Sequence, residues 1–221
     1  MNSIIRASAK GNLAAVEQLI AEGADINSAD SKGRSALIEA AWGGYAEVVQ
    51  LLVKRGANVN SADISGFTPL MRAVEEGFND IVKFLIENSA EVNVRGNVRG
   101  STPLMLAAEK GDIAIIEILI KSGARINSVD QFGETALARA YRMEQLKTIE
   151  ILEKNGATRK PDRSTYNYDD RDIRTVTKAS LPQWNAGSDD DSDDDEEDEF
   201  AGAEASDEDF DDDSDDDGDG K

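Results

Sequence analysis

Apolar residues in the first 158 positions fall in short bursts at helical spacing, separated by glycine and by polar, turn-forming residues. The stretch GFTPLMRAVEEGFNDIVKFLIENSAEVN, residues 66–93, shows the unit. Thr68 supplies an N-cap oxygen and Pro69 a preset φ, so a short helix is predicted to begin there, with Leu70, Ala73 and Val74 on one face. Gly77 ends it. A second helix is predicted from near Asn79, where Ile81, Val82, Phe84, Leu85 and Ile86 form a broad apolar stripe. Asn88 and Ser89 stop that helix, at the place where the other units use glycine as a left-handed cap. An extended stretch such as Asp63-Ile64-Ser65-Gly66 then leads into the next pair.

The unit recurs. Gly33, Gly66, Gly100 and Gly133 are followed closely by SALI, TPLM, TPLM and TALA. A second marker runs in step through Gly11, Gly44, Gly77 and Gly111, with Glu144 in the fifth place. A third reads GADIN, GANVN, SAEVN, GARIN and finally GATRK, beginning at Gly23, Gly56, Ser89, Gly123 and Gly156. Three independent markers at one spacing identify a repeat architecture, in which each unit buries its apolar face only against its neighbours.

These residues resemble the ankyrin repeat, whose pattern runs D-x-x-G-x-T-P-L-H-x-A-A, then G-H, then an ending V-x-x-L-L-x-x-G-A-D-V-N. The resemblance covers residues 2 to about 158 and implies an all-α repeat solenoid. It predicts about five helix pairs with short hairpin connections: a truncated first unit over 1–29, then 30–62, 63–96, 97–129 and 130–158. One departure is consistent. The histidine of T-P-L-H is replaced by Ile38, Met71, Met105 and Ala138, so apolar packing must stand in for the hydrogen bonds it would make between repeats. One extra residue lies in the hairpin NVRGNVRG, residues 93–100, whose tip is expected to project further. Polar residues suit the ends of a solenoid: Gln18 stands where later units have Leu51, Phe84 and Ile118, and Thr148 and Glu153 replace Ile115 and Ile120 on what are read as outward faces.

Charge divides the chain in two. From Ser188 onward there are 21 acidic residues and one base, a net charge of −20, whereas the whole chain carries −21. Residues 1–187 are therefore close to neutral. The segment 188–221 has only Phe200 and Phe210 as large apolar groups, too little to offset the entropy of ordering, and is expected to be a disordered tail joined through a linker, 159–187. There is no cysteine and no histidine, so disulfides, thiolate metal sites and the commonest general base are excluded. The N-terminus lacks a basic region followed by an apolar stretch, and no segment approaches the ~20 apolar residues of a membrane span. An intracellular monomer, cytoplasmic or also nuclear, is the expectation.

Candidate chemistry is sparse. Glu75 and Glu76 are adjacent on a helix, point in different directions and make no acid/base pair. Gly43-Gly44 follows a helix instead of opening one, so no phosphate loop is implied. Asp213-x-Asp215-x-Asp217-Gly218 matches the first half of a calcium-binding loop, but lacks the bidentate glutamate and the flanking helices. The segment 159–178 has six bases, four acids and two tyrosines, which is too little clustered charge for phosphate contacts beside an acidic run, so direct nucleic-acid binding is not expected. No catalytic, metal or cofactor site is expected.

The resemblance implies a different kind of site. Partners of such arrays dock on the hairpin tips and the inner, concave face of the short first helices. Carried over position by position, that surface is Ser31, Lys32, Arg34 and Trp42; Ile64, Ser65, Phe67 and Glu75; Val98, Arg99, Ser101 and Lys110; and Gln131, Phe132, Glu134 and Arg142. Arg34, Trp42, Ile64, Phe67, Arg99, Phe132 and Arg142 are the candidates for partner binding, because aromatics and arginine are over-represented at binding hot spots. Ser188, Ser192, Ser206 and Ser214 each precede an acid at the third position, resembling the substrate pattern of acidophilic kinases such as casein kinase II. The resulting expectation is a non-enzymatic interaction scaffold or adaptor whose tail captures a partner with a basic surface. A dedicated escort for a histone or ribosomal protein and an acidic transcription-regulatory cofactor are the alternatives.

Overall fold

The computed structural model describes residues 3–96 and 98–158. The linker, the acidic tail with its four serines, and the calcium-loop-like run lie outside the described residues. Among the described residues are ten α-helices and no strands. They run in pairs: α1 (Ser3–Ser8) and α2 (Leu13–Ala21), α3 (Ala36–Trp42) and α4 (Ala46–Lys54), α5 (Pro69–Glu76) and α6 (Asn79–Glu87), α7 (Pro103–Lys110) and α8 (Ile113–Lys121), α9 (Ala136–Arg142) and α10 (Leu146–Lys154). The first helices stack α1–α3–α5–α7–α9, and the second helices form a parallel row behind them.

Local chemistry fixes where each helix starts and stops. Ser35, Thr68, Thr102 and Thr135 each accept the backbone N–H three residues on, capping α3, α5, α7 and α9. Pro69 and Pro103 take the first helical position, where no amide hydrogen is needed. Gly77 and Gly111 close α5 and α7 in the left-handed conformation. At Gly44 a second requirement is added, since a β-carbon there would overlap the ring of Phe78 from the next repeat. Ser89 adopts a positive φ of 69° where its counterparts are glycine, and Glu144 does the same at 54°.

The core is built in columns one repeat apart. Ile4, Leu37, Leu70, Leu104 and Leu137 are buried in the first helices; Leu52, Leu85, Leu119 and Leu152 are buried in the second. Each such leucine contributes roughly 1.5–3 kcal/mol of burial. Ile38, Met71 and Met105, in the histidine position, are fully buried, and the Met105 sulfur accepts the Thr102 amide at 3.4 Å. Apolar packing therefore does replace the histidine there. Ala138 is only half-buried.

Polar linkage between repeats comes from another column. Asn27, Asn60, Asn93 and Asn127 each span to the next repeat with both ends of the side-chain amide. For Asn60, Nδ2 donates to the Ser89 carbonyl at 3.1 Å and Oδ1 accepts the Glu91 amide at 2.9 Å. The last of these clamps holds Gly156 and Thr158. In the following unit-end, GATRK, Lys160 stands in the asparagine place.

Two expectations are refined. The extra residue of the third hairpin is absorbed in its loop: Gly96 donates to Ser101, whereas Asp30, Asp63 and Asp130 donate to the residue four ahead. Val98 at that tip is exposed, as expected. Thr148, read from sequence as facing outward, is instead buried, and its hydroxyl has no hydrogen-bond partner. It occupies the core column of Ile115, so its polarity is no end-capping device. Glu153 is exposed and accepts the Tyr141 hydroxyl at 2.8 Å. Gln18 is exposed too.

Candidate functional site

The face made by the hairpin tips and first helices is organised by an aspartate in three of its four hairpins, Gly96 standing in the third. In Asp30, Asp63 and Asp130 one carboxylate oxygen accepts two backbone amides of its own hairpin, two and four residues ahead. The other oxygen binds an arginine: Arg34 at 2.7 Å, Arg72 at 2.8 Å and Arg139 at 2.7 Å. One residue thus shapes the turn and anchors a cation, through hydrogen bonds of the charge-assisted, stronger kind. Burial alone would raise the Asp30 carboxyl. The Arg34 amide and guanidinium and the Lys32 amide outweigh burial and hold it below its ordinary value of 3.8. Hydrogen bonding to Asp30 correspondingly raises Arg34.

At the centre of the face, Arg72 is clamped. Its guanidinium lies 3.7 Å from the Phe67 ring centroid and 4.7 Å from that of Trp42, and it also pairs with Glu75 at 3.0 Å. Trp42 in turn donates its indole N–H to Glu76 at 3.1 Å. Cation–π contacts of this kind contribute about 0.5–2 kcal/mol each. Their effect here is positional: an exposed tryptophan from α3 is held by a cation and a carboxylate from α5. Sequence reading placed Trp42 and Phe67 on this surface without seeing that one arginine joins them.

Nearer the C-terminal end of the array, Arg139 is fully buried and binds Asp130, Glu109 and the Ser101 hydroxyl. Ser101, expected on the docking surface, is therefore buried and serves as an acceptor beneath it. Above this layer, Arg99 pairs with Glu134 at 2.9 Å and lies 5.0 Å from the Phe132 ring, and Arg142 approaches Glu134 and Glu109.

The remaining candidates differ in what they offer. Ile64 and Val98, hairpin tips of successive repeats, are 76% and 81% exposed, so little holds them against a neighbour. Trp42 and Phe132 are exposed in part. Arg34 is half-buried and tied to Asp30 and Glu39, which makes it part of the scaffold more than a free contact. Arg72 and Arg139 were missed from sequence because their column is otherwise occupied by Glu39 and Leu106. A pattern that alternates arginine, glutamate and leucine gives no periodic signal; the aspartates nine positions earlier were the available clue.

No group of carboxylates among the described residues has the geometry to hold a metal ion, and no described helix is long and apolar enough to cross a membrane. The site consists instead of rigid aromatic and charged side chains on an open face. This is the surface of a repeat module, and a model of ankyrin repeats (3 copies) matches residues 4–96 and 92–162. The chain belongs to the ankyrin-repeat family. Its array is a protein–protein interaction module, of a family that is typically non-enzymatic. A search of curated proteins found no match.

Proposed function

We propose that the protein is a non-enzymatic intracellular adaptor that binds a basic-surfaced protein partner at the centre of the first-helix face, while the acidic tail captures or shields the same partner's charge. The observation that carries this reading is the polarity of the central cluster. Arg72 lies beneath, with its side chain mostly covered, whereas Glu75 is partly exposed and Glu76 is exposed beside Trp42. A partner lysine or arginine docking there meets an aromatic surface and two carboxylates, the combination that favours a cation. The tail, net −20, supplies the same preference without a shaped pocket. Tethering two weak contacts raises the overall affinity through effective concentration. A dedicated escort of a histone or ribosomal protein is the narrower form of this reading, favoured by a tail charge far above the ~2–8 that solubility needs.

The experiment is affinity capture from a native lysate by the full chain, by a chain lacking 188–221 and by Trp42→Ala. Basic proteins are expected to dominate the capture and to fall away in both altered chains, with a loss of roughly 1–3 kcal/mol for Trp42→Ala when its circular dichroism is unchanged. Capture indifferent to both changes would sink the reading.

A further inference from the structure

The first-helix face reverses its polarity along the array. At α5 the carboxylates Glu75 and Glu76 lie outermost over Arg72. Over α7 and α9 the order is inverted. Asp130 is fully buried and the side chain of Glu134 is only 14% exposed, while that of Arg142 is 44% exposed and Lys110, in the last turn of α7, stands in solvent. Asp130, Glu134 and Glu109 all bind guanidiniums, and of the three only Glu109, its side chain 35% exposed, shares the surface, so what this end presents to a partner is chiefly the outer side of Arg99, Arg142 and Lys110. Phe132 is exposed beside Arg99. Because α7 and α9 pack side by side, these groups belong to one surface.

We infer that this Arg99–Lys110–Phe132–Arg142 surface is a second subsite, which takes an acidic segment of the partner protein. The inference rests on the reading of the first-helix face as a docking surface. Charge complementarity selects the occupant. Asp130 and Glu134 lie beneath the arginines and Glu109 is shared between Arg139 and Arg142, so an incoming lysine meets at most one part-exposed carboxylate, and its like-charged approach to Arg142 and Lys110 is penalised. An aspartate or glutamate meets planar donors that are already held in place, with no need to order them on binding. Phe132 gives such a segment one apolar contact. The partner is thereby bipolar: a basic part for the central cluster and the tail, and an acidic stretch for the C-terminal repeats. Such a two-signed footprint fixes the direction in which a partner lies along the array, which a uniformly basic ligand would not do.

The test uses the full chain and two labelled peptides, one glutamate-rich and free of bases, the other lysine- and arginine-rich, in fluorescence anisotropy at low ionic strength. The acidic peptide is repelled by the acidic tail, and the double variant separates binding on the array from any on the linker 159–187. It is expected to bind, to weaken about tenfold in Lys110→Gln/Arg142→Gln, and to be unchanged in Trp42→Ala. Both substituted residues are exposed, and circular dichroism checks the fold. Absence of acidic-peptide binding, or equal binding by the double variant, overturns the subsite. So does single-stranded RNA binding lost in the double variant while the acidic peptide never binds. If the basic peptide still depends on Trp42 in any of these cases, only the second subsite fails; if neither peptide responds to any change on the face, the docking surface itself is misplaced.

Discussion

At the residue scale, the array depends on side chains that satisfy two demands at once. Asn60 closes a donor and an acceptor of the next repeat with one amide, so Asn60→Ala leaves the Ser89 carbonyl and the Glu91 amide without it. The expected cost is about 1–3 kcal/mol, read as a lower urea midpoint with an unchanged slope. Asp30 shows the same economy with a charge. Its carboxyl is held below 3.8 in the folded chain, so its contribution is fully present above that value and is lost as the pH falls through the depressed folded value. The stability gap between the native chain and Asp30→Asn is therefore expected to be largest toward neutral pH and to shrink in acid, measured as denaturation midpoints across that range. A gap that grows in acid would mean that another group governs the hairpin. Neither role was visible in the sequence. Asn27, Asn60, Asn93 and Asn127 stood out as a repeated letter, and only the stacking of one unit on the next shows what each amide reaches.

At the element scale, helix starts and stops were legible because each depends on residues adjacent in the chain. Thr68-Pro69 and Gly77 bound α5 as the pattern predicts. Ser89 marks the one second-helix exit without glycine, and the structure shows it forced into the left-handed region with φ 69°. For a residue with a β-carbon this conformation costs of order 1 kcal/mol, and the neighbouring exits at Gly56 and Gly123 avoid it. Ser89→Gly is expected to stabilise the chain by about 0.5–1 kcal/mol in urea denaturation, since the Asn60 contact uses only its carbonyl and survives. A destabilised variant would show that the serine side chain makes a contact that outweighs the strain. Burial across elements was harder to read. Thr148 looked like a polar end-cap, yet it sits in the Ile115 column, and Ser101 looked like a hairpin surface residue, yet Arg139 from α9 covers it. In both cases the neighbour that decides the outcome lies in another helix.

At the scale of the whole molecule, the first 187 residues are nearly neutral and the last 34 carry −20, so the two regions should respond to salt in different ways. On the array most carboxylates of the first-helix face are already matched with arginine, from Asp30 and Arg34 at one end to Glu134 and Arg142 at the other. A partner docking there meets only a few exposed charges of each sign, Glu75 and Glu76 at the centre and Arg99, Lys110 and Arg142 beyond, beside Trp42, Phe132 and the apolar tips Ile64 and Val98. Such a surface depends on ionic strength much less than a long run of one charge. A segment with 21 carboxylates acts through long-range attraction instead, which is screened over about 8–10 Å at ordinary salt. The affinity of the full chain for a basic client should therefore fall steeply as salt rises, while that of residues 1–187 should be weaker at low salt and fall much less. At high salt the two curves are expected to converge on the affinity of the array alone. Titration calorimetry of both chains against one client at several ionic strengths checks this. Parallel curves of equal affinity would remove the tail from the binding machinery and leave a plain ankyrin adaptor, with the acidic segment serving another purpose.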